Sequence, residues 1–122
     1  MANRRANSTM RCAMALLAIS VIALGCAKGS PPITDNWIGR WTGPEGTYLE
    51  IAGTRGVYQV TIKDLDAARS FAASARTGGI AFTRDGVQQI IRATNGDETG
   101  MKWLAGKKDC LTVKPGEGYC RD

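Results

Sequence analysis

The chain has 122 residues, enough for one small domain, and its 16 basic and 11 acidic side chains give a net charge of +5. It contains no histidine, which removes the most common general base, the most common metal ligand and the proton carrier of serine and cysteine triads. The composition therefore disfavours an enzyme, and we expect neither a cofactor nor a metal ion.

The excess of positive charge lies at the amino terminus. Arg4, Arg5 and Arg11 occur in the first eleven residues, whereas every acidic residue lies after position 26. A chain that starts at Cys26 keeps 13 basic and 11 acidic side chains. It has no run of like charge and no basic stripe interleaved with aromatic residues, so nucleic-acid binding is not expected.

Residues 1–25 have the three zones of a bacterial export signal. A basic segment is followed by an uncharged, mostly apolar run of 16 residues from Cys12 to Ala27, in which the small residue Gly25 precedes Cys26. This run is shorter than the ~20 residues that a permanent membrane-spanning helix needs. We interpret residues 1–25 as a cleaved signal peptide rather than as a buried amino-terminal helix, because the run has almost no polar face.

The end of the run, Ala23-Leu24-Gly25-Cys26, resembles the lipobox of bacterial lipoproteins. In that family the cysteine thiol receives a diacylglyceryl group, the signal is cut just before the cysteine, and the new amino terminus is acylated, for example with palmitate. The resemblance implies lipidation at Cys26 and cleavage after Gly25, and Ala27 implies sorting to the outer membrane, facing the periplasm. Ala23 and Leu24 depart from the commonest residues at their positions, so cleavage after Ala27 to give a free periplasmic protein stays the alternative.

Residues 26–35 form a predicted flexible tether, because the segment is small, polar and interrupted by two prolines. Residues 36–122 form the predicted domain, in which turn signals recur about every ten residues and enclose segments rich in β-branched and aromatic residues. We predict an all-β fold, an antiparallel meander of seven or eight short strands that forms a small barrel or sandwich. Seven of the strand segments are residues 37–41, 47–51, 57–62, 80–83, 87–93, 101–104 and 110–113.

Residues 64–76 fit this scheme least well. Local propensity favours a helix, because the segment is rich in alanine and begins with Asp64. Its apolar stripe is poor, since Leu65 and Phe71 are its only large members. We predict an irregular turn that leads into a strand at 69–74, with a short helix over 64–76 as the alternative.

The large aromatic residues are expected in the core, although a ligand-stacking box of the three tryptophans is the alternative. They are Trp37, Trp41, Phe71, Phe82 and Trp103. Gly39-Arg40-Trp41 resembles the Gly-x-Trp on the first strand of lipocalin-like barrels, and this resemblance implies a β-barrel with an apolar cavity. Because the chain is too short for a full lipocalin with a roomy interior, we expect a filled barrel.

Carboxylates occur in two loops and in a scattered set of glutamates. Asp64, Asp66 and the segment 95–100 offer oxygen ligands of the kind that calcium uses, but neither loop has the alternating series of an EF-hand, so solvated turns are expected. Paired carboxylates for sugar chemistry would need a cleft. The glutamates in question are Glu45, Glu50 and Glu117.

The lipoprotein interpretation uses all four cysteines. Cys12 leaves with the signal, Cys26 carries lipid, and Cys110 and Cys120 remain for a disulfide in an oxidising compartment. A turn at Pro115-Gly116 predicts a hairpin that pairs 113 with 117, 111 with 119 and 110 with 120. We predict a Cys110–Cys120 disulfide rather than a redox pair, which favours Cys-x-x-Cys spacing, or a metal site, which would lack histidine partners.

The hairpin tip, Pro-Gly-Glu-Gly-Tyr at residues 115–119, resembles the Ser-Gly-x-x-Tyr loop that small envelope inhibitors of c-type lysozyme present to the enzyme's cleft. Pro115 replaces the serine, and the second inhibitor motif, a tyrosine followed by Thr-Lys, is not found. The resemblance therefore implies a protein-contact surface rather than lysozyme inhibition, and a plain stabilised hairpin is the alternative. The candidate partner contacts are Lys114, Pro115, Gly116, Glu117 and Tyr119.

The chain as a whole resembles small proteobacterial envelope lipoproteins, a resemblance that implies no activity. We predict a lipid-anchored periplasmic binding module without enzymatic activity, of the inhibitor, immunity or envelope-assembly type, with the membrane and an envelope protein as partners. The alternative is a carrier of a small apolar ligand inside the barrel, and an envelope hydrolase is the least favoured class.

Overall fold

The computed structural model describes residues 30–121, in which eight strands follow one another as neighbours. Each strand pairs antiparallel with the next, and the last pairs with the first, so the sheet closes into a barrel. The predicted all-β meander is confirmed, in its barrel form. The strands are β1 (Gly39–Thr42), β2 (Tyr48–Thr54), β3 (Val57–Lys63), β4 (Ala68–Arg76), β5 (Gly79–Arg84), β6 (Val87–Thr94), β7 (Cys110–Lys114) and β8 (Glu117–Cys120).

Helical structure in this part of the chain is limited to four short 3₁₀ turns. No helix among residues 30–121 has the length and apolar character needed to cross a membrane. The turns are Ile33–Trp37, Pro44–Gly46, Asp97–Thr99 and Lys102–Leu104. The predicted signal peptide, residues 1–25, and the lipidation site Cys26 lie outside the described residues.

The barrel interior is filled by side chains. Along β3 and the first four residues of β2 every second residue is buried, as expected for strands with one face on a core. The inward-facing side chains meet in one apolar cluster, so the space that a lipocalin-like cavity would occupy is packed. The cluster contains Trp41, Leu49, Ile51, Tyr58, Val60, Ile62, Ala73, Ile80, Phe82, Ile91, Leu111, Val113 and Tyr119.

Two segments test local propensity against the surrounding fold. Residues 64–67 form a loop and β4 follows, so the predicted turn and strand are confirmed and a helix over 64–76 is wrong. β4 pairs with β3 over seven residues, and these ladder hydrogen bonds outweigh the high helix propensity of alanine, which is worth less than about 1 kcal/mol per residue. Residues 101–104 were expected in a strand but form a 3₁₀ turn. Met101 and Leu104, three residues apart, pack on the same side, which is the spacing of such a turn and not of a strand.

Because the strands run up and down, their connections alternate between two ends of the barrel. We call one end the open end; its four connections are residues 43–47, 64–67, 85–86 and 115–116. The opposite end, which we call the plugged end, receives the chain from Ser30. It is covered by the 3₁₀ turn Ile33–Trp37, which we call the plug. This turn packs on the core through Trp37, whose carbonyl oxygen accepts a hydrogen bond from Trp41 Nε1 at 2.8 Å.

Asp35 binds the plug to the β2–β3 turn. Its carboxylate accepts hydrogen bonds from the backbone N–H groups of Arg55 and Gly56, at 2.9 and 3.2 Å, and from the Tyr58 hydroxyl. Arg55 and Gly56 have positive φ values of 56° and 80°, which is the conformation of a two-residue hairpin turn. That conformation directs both N–H groups towards the carboxylate.

The plug also changes the boundary of the domain. The sequence places the flexible tether at residues 26–35, but Thr34 is buried and its hydroxyl lies 2.7 Å from that of Tyr58. Residues 26–29 lie outside the described part of the chain. The compact unit begins at Pro31, five residues before the predicted start of the domain.

Asp35→Asn should reduce the dependence of stability on pH under acid conditions. The hydrogen bond from Tyr58, followed by those from the backbone of Arg55 and Gly56, holds the pKa of Asp35 below its ordinary value. A carboxylate of this kind stabilises the fold above its unfolded pKa, about 4, and the contribution is lost as the pH falls through the lower folded pKa. Urea unfolding between pH 7 and pH 2 should show a smaller loss of stability in the variant than in the wild type.

The matched control for this measurement is Asp66→Asn, because Asp66 is exposed in the loop at the other end of the barrel. It should keep the wild-type pH profile. Equal acid profiles for the wild type and Asp35→Asn would show that the carboxylate does not hold the plug.

Candidate functional site

The β7–β8 hairpin carries the predicted disulfide. Cys110 and Cys120 lie opposite each other on the two strands and are covalently bonded, and both are buried. The predicted pairs 110 with 120 and 111 with 119 are confirmed. The predicted pair 113 with 117 is wrong, because a bulge near Val113 sets Lys114 opposite Glu117.

The turn itself explains this change of register. Pro115 and Gly116 are the two central residues, and Gly116 has φ 86°. Proline is favoured at the first central position, and glycine at the second tolerates a positive φ. A two-residue turn requires its flanking residues, 114 and 117, to pair, so the extra residue is accommodated as a bulge in β7.

The candidate contact residues are divided between two environments. Lys114, Pro115 and Gly116 are exposed at the tip. Glu117 is only partly exposed, and Tyr119 is buried with its ring in the core cluster. The tip therefore offers three residues to a partner directly, while the other two lie lower, where the barrel interior meets solvent.

At the open end, a layer of charged and polar side chains lies above the apolar core, and we call this layer the mouth. Arg84 follows Phe82 by two residues and Glu117 precedes Tyr119 by two, so both side chains continue the inward faces of their strands. Arg84 donates two hydrogen bonds to the Glu117 carboxylate, at 2.7 and 2.8 Å, and the two side chains are only 14% and 18% exposed. The mouth therefore contains a bidentate, largely desolvated ion pair.

The surroundings of the mouth raise the pKa values of two of its side chains, Tyr119 and Arg84. Burial, together with the negative charge of Glu117, raises the pKa of Tyr119 well above its usual range, and its hydroxyl lies 3.4 Å from a Glu117 oxygen. The hydrogen bonds to Glu117 raise the pKa of Arg84. Arg69 forms a second ion pair at this end, with Asp85 at 2.7 Å. Tyr119 therefore keeps its proton and Arg84 its positive charge at neutral pH.

Of the other two glutamates, Glu50 lies apart from Glu117, whereas Glu45 lines a groove together with it. Glu50 lies on the outer wall of β2, where it forms an ion pair with Arg40 at 3.5 Å. Glu45 is exposed in the β1–β2 connection. The structure thus separates Glu50 from Glu117 by the thickness of the barrel wall.

Beside the mouth lies a groove of about 350 Å³ with an exposed apolar rim, which we call the Trp103 groove. Trp103 is 76% exposed and Leu65, across the groove, is also exposed. The expectation that Trp103 belongs to the core is wrong, because Leu104 takes the buried position of this turn. The groove is lined by Pro44, Glu45, Thr47, Asp64, Leu65, Met101, Trp103, Gly116, Glu117, Gly118 and Tyr119.

Hydrogen bonds hold the backbone of the loop 95–109, which carries Trp103. Asn95 and Glu98 bond each other's backbone N–H groups through their side chains, at 2.8 and 2.9 Å. Asp97 Oδ1 accepts a hydrogen bond from the N–H of Gly106 at 3.0 Å. The acidic residues of this loop therefore stabilise its own backbone, as the sequence suggested for a turn. The loop is pre-organised, although it contains little regular secondary structure.

The same loop is fastened to the hairpin. The N–H of Gly116 donates to the Thr99 carbonyl oxygen at 2.8 Å, and the N–H of Gly118 donates to Met101 Sδ at 3.1 Å. A Cβ at Gly118 would lie 2.6 Å from the Thr99 side chain, so only glycine permits this close approach. Leu104 packs against the disulfide. The loop that carries Trp103 is thus joined to the hairpin by hydrogen bonds and by apolar packing.

No protein-family model, no curated protein and no solved structure matches this chain. Its function is therefore argued from the geometry of the mouth, the Trp103 groove and the hairpin tip.

Sequence reasoning identified the hairpin tip but missed two other parts of this surface. Arg84 and Glu117 are 33 residues apart in the chain, and their meeting depends on how the barrel closes. Arg84 lies two residues from Phe82, and Glu117 two residues from Tyr119. This alternation places both charged side chains on the inward faces of their strands and could have been recognised in the sequence. For Trp103, the flanking glycines and lysines could have indicated a loop rather than a core strand.

Proposed function

We propose that this protein is a lipid-anchored envelope protein on the periplasmic face of the outer membrane, and that its barrel is a non-enzymatic module that binds an envelope protein at the open end. The anchor rests on the lipobox resemblance at Ala23-Leu24-Gly25-Cys26 and on the export signal before it. The binding role rests on one observation: Trp103 is 76% exposed on a rigid loop beside the mouth.

An exposed tryptophan on a fixed loop favours association. Burying the indole against a partner removes a large apolar surface from water, and tryptophan is enriched among the residues that dominate binding energy. Because hydrogen bonds already hold the backbone of this loop, little further ordering of the backbone is needed when a partner binds. Leu65 widens the apolar contact, and the hairpin tip supplies polar groups beside it.

The packed core supports a surface role over carriage of an apolar ligand. Thirteen buried side chains meet in the barrel interior, and a ligand placed there would have to displace them. The ion-paired charges of the mouth likewise support binding rather than acid–base chemistry, since Arg84 and Glu117 neutralise each other.

The end at which the described chain enters the barrel indicates how the barrel would be oriented on the membrane. The described chain enters at the plugged end, and Cys26 precedes Ser30 by only four residues in the sequence. A lipid on Cys26 would hold the plugged end near the bilayer. The open end, with Trp103 and the hairpin tip, would then face the periplasm, where an envelope partner is reached.

Purification from detergent-solubilised membranes tests both parts of this proposal. The full-length protein with a carboxy-terminal affinity tag should have an intact mass that corresponds to cleavage before Cys26 plus the attached acyl groups. It should also capture a partner protein, and Trp103→Ala should reduce the captured amount at least about tenfold, as expected for a central aromatic contact. Ile90→Ala, a truncation of a partly exposed residue on the outer wall of β6, is the control and should capture the wild-type amount.

The two readouts can fail separately. An unmodified amino terminus at Lys28 would contradict the anchor. Equal capture by the wild type and Trp103→Ala, or capture of nothing above an untagged control, would contradict the binding surface at the open end.

A further inference from the structure

The arginines of the barrel fall into two classes. Of the seven arginines between residues 30 and 121, four form ion pairs with carboxylates. These four are Arg40, Arg69, Arg84 and Arg121. The other three, Arg55, Arg76 and Arg92, are exposed and form no ion pair with any other described residue. All three lie at or near the plugged end.

The positions of these three follow from the topology. Arg55 lies in the β2–β3 turn, Arg76 ends β4, and Arg92 lies near the end of β6, which are all points where strands reach the plugged end. Arg76 and Arg92 line one groove of about 460 Å³ together with Ile33 of the plug. The arginines that form no ion pair therefore all lie at or near the plugged end, whereas Lys63 and Lys114, two lysines without an ion pair to a described residue, lie at the open end.

The acidic groups nearest to these arginines have other partners. Asp35, next to Arg55, accepts hydrogen bonds from two backbone N–H groups and from Tyr58. Glu98, which lines the groove of Arg76 and Arg92, accepts a hydrogen bond from the backbone N–H of Asn95. The charge of Arg55 contributes to the lowered pKa of Asp35, but neither carboxylate forms an ion pair with Arg55, Arg76 or Arg92. The three guanidinium groups therefore stay available to an external anion.

Exposed apolar side chains lie among these arginines. Ile33 is 76% exposed and Val57, the first residue after the β2–β3 turn, is 71% exposed. Guanidinium groups bind phosphate through two hydrogen bonds, and aliphatic side chains beside them can enter the headgroup region of a bilayer. Basic and aliphatic groups together on one face match the chemistry of an anionic phospholipid surface.

We infer that the plugged end is a membrane-contact surface that binds anionic phospholipid headgroups through Arg55, Arg76 and Arg92. The inference rests on the proposed function for its setting, because lipid on Cys26 would place this end at the bilayer. Cys26 lies four residues before Ser30, a span of at most about 14 Å of extended chain. The anchor and the arginines can thus reach the same surface, and their combined attachment would hold the barrel upright.

Sedimentation with lipid vesicles tests the surface without the anchor. The protein used is the chain from residue 27 onward, which carries no lipid and contains the whole compact unit Pro31–Asp122. It should bind vesicles that contain phosphatidylglycerol, should bind pure phosphatidylcholine vesicles much less, and should lose binding as salt is added. Each arginine removed should lower the partition coefficient about fivefold, so Arg76→Gln with Arg92→Gln should lower it at least about tenfold.

The matched control removes the same charge from the other end. Lys63→Gln with Lys114→Gln should leave vesicle binding within about twofold of the wild type, because both lysines lie at the open end. Equal losses in the two double variants would show that only net charge matters and would overturn the inference. Absence of binding to the anionic vesicles at low salt would also overturn it.

This outcome is separable from that of the proposed function. The vesicle measurement does not depend on Cys26, and the intact mass of the membrane-extracted protein does not depend on the arginines. If the membrane-extracted protein is lipidated but the barrel does not bind anionic vesicles, this inference alone is overturned. If the extracted protein carries no lipid but the barrel binds these vesicles, the anchor alone is overturned.

Discussion

Trp41→Ala should lower the free energy of unfolding by about 3–5 kcal/mol, the range observed when a buried large aromatic side chain is truncated. Trp41 is 1% exposed and lies opposite Leu49 on the paired strands β1 and β2. Its indole N–H donates to the Trp37 carbonyl oxygen, and the Arg121 guanidinium stacks 3.9 Å from the ring centroid. The variant loses core volume, a bond to the plug and a cation–π contact together.

Urea unfolding followed by circular dichroism measures this loss without relying on the fluorescence that the mutation changes. Trp103→Ala is the matched control, since the same residue type is truncated at an exposed position. It should change stability by no more than about 0.5 kcal/mol. A Trp41→Ala variant no less stable than Trp103→Ala would show that the barrel does not depend on this side chain.

Replacing Cys110 and Cys120 together by alanine should cost about 2–3 kcal/mol and lower the melting temperature by roughly 10–20 °C. The bond closes a loop with a sequence separation of 10 residues, and its removal gives the unfolded chain more conformations. Both cysteines also pack against Leu104. Removal of the disulfide should therefore also destabilise the loop that carries Trp103, and the amount of captured partner should fall as well.

Thermal unfolding with and without dithiothreitol provides the internal control. The reductant should lower the melting temperature of the wild type towards that of the double variant and leave the double variant unchanged. A wild type that melts at the same temperature in both buffers, under conditions in which free thiols are detected, would contradict a stabilising role for the bond.

The strands that could be predicted best from the sequence are those in which apolar and polar residues alternate, so that one face is buried and the other exposed. Leu49 and Ile51 flank a polar residue in β2, and the same alternation along β3 identifies its buried face. β4 has weaker alternation, so its conformation is decided by pairing with β3 and β5 rather than by its own residues. Residues 101–104 show the reverse error, because a short apolar run has the same composition in a strand and in a 3₁₀ turn.

The site was predictable only where its residues are close in sequence. The Cys110–Cys120 bond follows from a hairpin of a few residues, in which turn chemistry fixes the pairing. The Arg84–Glu117 ion pair depends on the closure of the whole barrel, which no local pattern encodes. The exposure of Trp103 depends on Leu104 packing against the disulfide, and composition alone places tryptophan in a core.

The closure of the barrel has a consequence for where the protein can fold. β8 is joined to β1 through the pair Thr42 and Cys120, and the Thr42 hydroxyl donates to the Cys120 carbonyl oxygen at 3.2 Å. Cys120, which forms this β8–β1 pair, is also the residue bonded to Cys110. In a reducing compartment both thiols are free, and β8 is then held to β7, as it is to β1, by noncovalent contacts alone. If the chain is exported as proposed, we expect the barrel to unfold more easily before export, and the disulfide that forms afterwards to stabilise the strand that closes it.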